Sequence, residues 1–543
     1  MDFMRRIVFA FLFFLCACAS TPRVEDLSLD EKIGQLFIVD AYGRFMNEDS
    51  LAFRELQRQV RENHVGGVLW YASNVHDASW ITRRLQESAR VPLLVSADLE
   101  SGIGMRFSDT TQWPWAMAVA ATGEPAFAET LGRVTAIEAK AIGINHVLAP
   151  VADVNVDPNN PVINTRSFGE DPQKVARYVS AFIRGAQSQG VLATAKHFPG
   201  HGDTHVDSHR SLPVVNVDRA RLDRVELVPF RAAIEAEVGS VMVGHLSLPA
   251  LDPVLPASLS PRIIDGLLRH ELGFDGLVVG DAFDMGGIAE HFSAGEAAVR
   301  AIEAGIDMIM KSPDTDAAMA AVRDAVRSGR ISEARIDASV RRILAAKHRV
   351  ASRVASQADL FRTIDTAEHR RLAAQIATRA ITLVRSDAGA LPLQREARIV
   401  VVSISDFPEV RNPAAVTIDE IAKRTTTKPA SFLVDQRTRA DELQPILDAA
   451  ANADVVLLAC NVRAISGSGR LQLPDSARAL VERLPSNAKT IAVSFGSPYI
   501  ARDLPSLRTF LCAYGVQPVM QIAAVKALFG EETISGKLPV TIP

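Results

Sequence analysis

Cysteine is nearly absent. The 543 residues hold four, and only Cys460 and Cys512 lie beyond the N-terminal segment. Two thiols exclude a disulfide-dense scaffold. Both sit in apolar, strand-like runs, where one bridge and two buried thiols are equally open. An excess of charge of either sign is also missing. The 59 Lys and Arg against 63 Asp and Glu leave a net charge of -4, with no Lys/Arg run, so nothing in the balance points to nucleic acid. No internal repeat or low-complexity tract stands out. After the N-terminus no stretch offers about 18 uninterrupted apolar residues, so no further membrane element is expected. What remains is 48% hydrophobic and 22% charged, the balance of a globular chain long enough for two or three domains.

The N-terminus reads MDFMRRIVFAFLFFLCACAS. Arg5 and Arg6 flank an apolar stretch from Ile7 to Ala17, with small residues after it. That is the layout of a secretory signal, too short to span a bilayer as a folded helix. Leu15-Cys16-Ala17-Cys18 resembles the lipobox of bacterial lipoproteins. The resemblance implies a signal segment over residues 1–18 and lipid on Cys18, which anchors a protein without spanning the membrane. It also implies a cell-envelope location, periplasmic or outer-membrane if the cell is Gram-negative. A plain signal peptide cut near Ser20 is the alternative.

Beyond Ser28 and Glu31, which fit a capping box, short apolar runs alternate with longer helical patterns. Eight strands are expected: Gln35–Asp40, Gly66–Trp70, Pro92–Asp98, Ile144–Ala149, Val191–His197, Ser240–His245, Gly276–Asp281 and Asp307–Met310. Many are Val, Ile and Leu without polar alternation, as strands buried on both faces are. Eight such units over residues 26–350 predict a (β/α)8 TIM barrel. Several strands finish in an ionisable residue: Asp98, Lys196-His197, His245, Asp281. The fourth runs on towards Asp153. In barrels of this kind, active groups sit at those C-terminal strand ends. Residues 351–390 read as a linker. Residues 391–543 carry a second α/β pattern, an open sheet with helices on both faces (an α/β/α sandwich). No G-x-G-x-x-G comes after its strands, which argues against a dinucleotide there.

Four of the 12 histidines fall in AKHFPGHGDTHVDSH: His197, His201, His205 and His209. A helix would stack this four-residue spacing on one face. Pro199, Gly200 and Gly202 make the segment a loop instead. One reading is zinc held by His201, His205 and His209 with Asp203 and Asp207, but the H-E-x-x-H type needs a helix. The second pairs Asp207 with His209. A carboxylate on one ring nitrogen fixes the tautomer and leaves the other as general acid and then base. Lys196 and His197, at a strand end, would donate to hydroxyl oxygens, and His201 and His205 would shape the loop. In GFDGLVVGDAFDM, Asp281 closes an apolar strand. It can act as nucleophile towards an anomeric carbon, or serve simply as a cap. Asp284 is expected as a helix cap.

KHFPGHGDTHVDSH, GFDGLVVGDAFDM, NTRSFGEDP and SADLESGIGMRF together resemble glycoside hydrolase family 3. The H-G-D-T-x-x-D-S-H run is similar to its bacterial β-N-acetylglucosaminidase branch, whose members remove N-acetylglucosamine from muropeptides or peptidoglycan fragments. The resemblance continues through ITLVRSDAGALPL, VSFGSPYI and SGKLPVTIP. It implies Asp281 as nucleophile and His209 as acid/base assisted by Asp207. Asp98, Arg166, Lys196 and His197 would hold the terminal sugar. It further implies a retaining mechanism, no metal or organic cofactor, and a carbohydrate partner. Two departures stand out: Gly280 where Ser often precedes the nucleophile, and Asp98-Leu99-Glu100-Ser101 in place of Asp-x-Glu-Gly. Phosphorolysis, a β-glucosidase and a non-catalytic peptidoglycan-binding lipoprotein are the competing readings.

Overall fold

The structure is a computed structural model that describes residues 22–43, 45–350, 354–465, 467–486 and 489–542; Cys18 lies outside them. Ser28 opens the first helix, Leu29–Gln35, with the expected capping box: its hydroxyl accepts from the Glu31 amide while Glu31 accepts from the Ser28 amide at 2.8 Å. Eight parallel strands then close a barrel in chain order. They are β1 (Phe37–Ala41), β2 (Gly67–Trp70), β3 (Leu94–Ala97), β4 (His146–Val147), β5 (Leu192–Phe198), β6 (Ser240–Val243), β7 (Leu277–Ala282) and β8 (Met308–Met310). Pairing of Phe37 with Ile309 joins β8 back to β1. β2, β3 and β6 are buried at every position, so their unbroken apolar sequences face side-chain layers within and helices without.

The buried polar residues of β3, β4 and β5 are hydrogen-bonded across the wall, which offsets their burial. His146 on β4 lies between Ser96 on β3 (2.9 Å) and Thr194 on β5 (3.0 Å), and burial lowers its pKa to about 4. It is a neutral interior group that laces three strands together.

The described part of the stretch expected as a linker, residues 354–390, carries regular structure. It holds helices Gln357–Thr363 and Ala367–Ala380 and strand β9, Thr382–Arg385. The second helix buries Ala373, Ile376, Ala377 and Ala380, a helical spacing, against helices Ala116–Ala121 and Pro518–Leu528. It therefore rivets the two halves of the molecule. β9 joins a six-stranded sheet with β10 (Ile399–Ser405), β11 (Ala430–Val434), β12 (Val455–Asn461), β13 (Lys489–Ser494) and β14 (Thr509–Cys512). The order is β11-β10-β12-β13-β14-β9, with β9 alone antiparallel. Cys460 on β12 and Cys512 on β14 are free and buried. β13 runs between them, a separation of roughly 10 Å, beyond the reach of a disulfide.

The sheet domain sits over the barrel mouth. Asn155, after β4, donates to the Tyr499 hydroxyl at 2.9 Å, and Thr541 donates to Glu170 at 2.6 Å. Gly169 has φ +136, and a Cβ there would lie 2.6 Å from the Pro539 carbonyl. Close backbone approach between the halves thus requires glycine at this point.

Candidate active site

The C-terminal ends of the barrel strands surround a cavity of about 520 Å³. Asp98, Arg166, Lys196, His197, His209 and Asp281 all line it. These residues lie 183 positions apart at the extremes (281 − 98). The barrel topology brings them together.

One corner is a lattice of fixed charges. Lys196, only 2% exposed, donates to Asp98 at 2.7 Å and contacts Glu100 at 2.8 Å. Arg106 bonds the other oxygen of Asp98 at 2.6 Å. Arg166 grips Glu100 with two parallel bonds of 2.8 and 2.7 Å, the strong bidentate form. Burial opposes both carboxylates ionising, but the surrounding cations win. Asp98 is held well below the usual range, and Glu100 falls to about 2. Three cations against two carboxylates leave one net positive charge, with every side chain preset. His197 extends the lattice: its Nδ1 lies 2.7 Å from Asp153 and its Nε2 lies 3.4 Å from Arg166.

Asp281 and His209 border the same cavity. Asp281 ends β7 partly buried, one oxygen accepting from the Ala282 amide at 2.8 Å. Burial works against its ionisation, but the imidazoles of His197, His245 and His209 and the Ala282 amide hold its carboxyl below the ordinary range. It is an ionised carboxylate facing the cavity. His209 Nδ1 lies 2.8 Å from Asp207, which also accepts the His209 amide at 2.9 Å. The carboxylate thus orients the ring from two directions, as the i, i+2 spacing predicted. No described residue bonds Nε2, which is left for a ligand. The second oxygen of Asp207 accepts from the Gly467 amide of the sheet domain at 2.7 Å.

Two amides tie these elements together. Gly286 donates to the His209 carbonyl and Gly287 to the Ser208 carbonyl, each at 3.3 Å. The turn after Asp281 is therefore bonded to the loop that carries His209.

The remaining histidines are structural. His201 bonds Thr204 (2.9 Å) and Ser208 (3.0 Å) through its two ring nitrogens, and burial lowers its pKa to about 4. His205 lies against Asp157 instead. With His209 on Asp207, the three rings diverge, so the zinc reading fails on geometry. Among the described residues no cluster of three or more His, Cys, Asp or Glu could hold a metal. His245 donates from Nε2 to the Ala282 carbonyl at 3.0 Å, so its Nδ1 accepts from Ser258 at 2.7 Å. It anchors the backbone beside Asp281.

Residues 28–346 match the glycosyl hydrolase family 3 N terminal domain, and residues 381–543 match the glycosyl hydrolase family 3 C-terminal domain. The chain belongs to glycosyl hydrolase family 3. It is a glycoside hydrolase, similar along its length to β-N-acetylglucosaminidases and β-hexosaminidases. A β-N-acetylglucosaminidase/β-glucosidase of Cellulomonas fimi is 33% identical over 548 residues, covering 95% of this chain and 94% of that relative. The family 3 β-N-acetylglucosaminidase of Paenibacillus sp. str. FPU-7 superposes with a TM-score of 0.86 at 34% identity, over 95% of this chain and 99% of that one. A β-glucoside phosphorylase, BglX, bound to 2FGlc gives 0.86 at 27% identity, over 95% of each chain.

One family 3 departure has a physical explanation. A Cβ on Gly280 would lie 2.4 Å from the Phe283 ring, which packs edge-on against His245. The phenyl group fills the space that a serine would take. Asp284 is not a cap: the next helix, Gly286–Ala289, has Met285 at its N-cap, and Asp284 pairs with Lys311 at 2.7 Å. Sequence reasoning passed over Glu100, Arg106 and Lys311. The first two lie inside SADLESGIGMRF, and Lys311 comes directly after β8, where the strand-end rule points. Gly467 carried no signal, since only its backbone amide matters.

Proposed function

We propose that this family 3 enzyme is a retaining, exo-acting β-N-acetylglucosaminidase that releases terminal N-acetylglucosamine from peptidoglycan fragments. The observation that carries the reading is the shared cavity: the Asp281 carboxylate and the His209 imidazole border one space, on loops hydrogen-bonded to each other. The identities to enzymes named β-N-acetylglucosaminidase and β-hexosaminidase support the sugar assignment.

In this mechanism Asp98, Arg166, Lys196 and His197 bind the terminal sugar's oxygens. Glu100 and Arg106 hold Asp98, Arg166 and Lys196 in place. An Asp281 oxygen attacks C1 while protonated His209 gives its Nε2 proton to the departing oxygen, and a glycosyl ester forms on Asp281. His209, now neutral, takes a proton from water, which attacks C1. The ester bond breaks, and the sugar leaves with its original anomeric configuration. Asp207 holds the ring and stabilises its cationic form. Lipid on Cys18 would fix the enzyme to the cell envelope.

A second reading is phosphorolysis, favoured by the likeness to a β-glucoside phosphorylase. A neutral imidazole repels an incoming phosphate less than a carboxylate does. Turnover of an aryl β-N-acetylglucosaminide, with and without inorganic phosphate, separates the readings. Hydrolysis predicts free β-N-acetylglucosamine in both and a loss of at least about 10³-fold in Asp281→Ala. Sugar 1-phosphate as the main product would replace the first reading. An Asp281→Ala variant of unchanged rate would remove both.

A further inference from the structure

Beside the active cavity lies a second, solvent-open one, of about 430 Å³, between the histidine loop and the sheet domain. The two share a wall of neighbouring residues. His209 and Ala464 face the first, while Arg210, Ile465 and Gly467 face the second. The second cavity therefore lies on the His209 side, where a departing group is protonated.

One buried oxygen and two guanidiniums of its lining are incompletely partnered, although Arg463 lies close enough to Asp406 to act on its charge. Asp406 is only 6% exposed, and its Oδ1 is buried without a hydrogen bond. A buried, unbonded carboxyl oxygen is costly and uncommon. Burial raises its pKa to about 7. The Arg210 guanidinium packs beside Gly469 and donates to the Ser468 carbonyl at 3.5 Å, and Arg470 donates to the neutral Gln436 at 2.9 Å. Neither guanidinium has a carboxylate partner among the described residues, whereas Arg166, Arg269 and many others do. Phe407, Pro408 and Ile465 supply an apolar wall.

We propose that this cavity binds an anionic, peptide-like part of the leaving group, its carboxylate on Arg210 and Arg470 and an amide N–H on Asp406. Two unpaired guanidiniums suit a carboxylate. A buried carboxyl oxygen suits an N–H donor, and the phenyl wall suits a small alkyl side chain. The volume suffices for a few amino-acid residues. The proposal rests on the glycosidase reading, because it places the leaving group beside His209. It makes the sheet domain the reader of the leaving group, while the barrel reads the sugar.

The test uses the full chain, wild type and Arg470→Ala. Arg470 is exposed, so its loss leaves the fold intact. Two substrates are compared: N-acetylglucosamine linked to muramyl dipeptide, and the neutral disaccharide N,N'-diacetylchitobiose. In Arg470→Ala, kcat/KM on the peptide-bearing substrate is expected to fall about tenfold or more, as for loss of a charged hydrogen bond, with chitobiose within about twofold. Added salt should shrink the wild-type preference. Equal losses on both substrates, or none, overturn the proposal. Calorimetry with muramyl dipeptide alone separates its fate from that of the glycosidase reading. Binding weakened about tenfold in Arg470→Ala supports the cavity even if no glycoside is cleaved, and unchanged binding overturns it.

Discussion

At the scale of single residues, the site assigns different work to chemically similar groups through their surroundings. Asp281 and Asp207 are both ionised, but Asp207 spends its oxygens on His209 and Gly467, whereas Asp281 accepts one backbone amide and faces the cavity. His201 and His209 are both imidazoles, but His201 has both nitrogens bonded and His209 has one free. The free nitrogen predicts a leaving-group dependence for His209→Ala. On a 2,4-dinitrophenyl glycoside, which departs without a proton, the first step should fall less than about tenfold. On a sugar leaving group it should fall about 10²–10⁴-fold. The ratio kcat/KM on both substrates, which reports the first step alone, checks this, and equal losses in it would remove His209 from proton transfer. Asp207 and His209 were legible in the sequence because their partnership is local. Lys196 was legible because it ends a strand. Its partner Glu100, 96 positions away (196 − 100), needed the barrel to be closed.

At the scale of elements, the contact between the β7 turn and the histidine loop sets the distance between nucleophile and acid. A Cβ on Gly286 would lie 2.7 Å from the Arg210 carbonyl. Gly286→Ala should therefore push the two loops apart. A misplacement of this size near the chemistry costs up to about 10²-fold in kcat, while stability changes by about 1–3 kcal/mol at most. Steady-state kinetics beside urea unfolding measures both, and an unchanged kcat would show that the loops are not held by this contact. The strands were readable from composition because β2, β3 and β6 are buried on both faces. Strand β9 was not: its burial is mixed, and Leu383 is 40% exposed. Nor was the riveting helix Ala367–Ala380, whose apolar stripe is mostly alanine.

At the scale of the molecule, stability should depend on acid in two stages. His146 and His201 are buried neutral, with pKa lowered from 6.5 to about 4. Between those values the unfolded chain binds protons that the folded one does not, so stability falls as pH drops from about 6.5 to about 4. Asp98, Glu100, Asp207 and Asp281 have folded pKa values below their ordinary ones. Their contribution is complete above about 4.5 and is lost as pH falls towards the value of about 2 held by Glu100. Asp406, raised to about 7, works in the opposite sense over the same window, so the histidine effect is isolated in Asp406→Asn. Urea midpoints of that variant from pH 7 to pH 3 should decline throughout, and a flat profile between 6.5 and 4 in it would contradict the neutral histidines. The sheet domain enters the same picture, because one amide of Gly467 completes the bonding of Asp207 across the interface.

The most direct measurement is mass spectrometry of the enzyme mixed with an activated 5-fluoro-N-acetylglucosaminyl fluoride, which slows release of a covalent sugar. A single adduct on the peptide containing Asp281, absent from Asp281→Ala, is the expected result. An adduct on any other residue, or turnover giving an inverted product with no adduct, would contradict it.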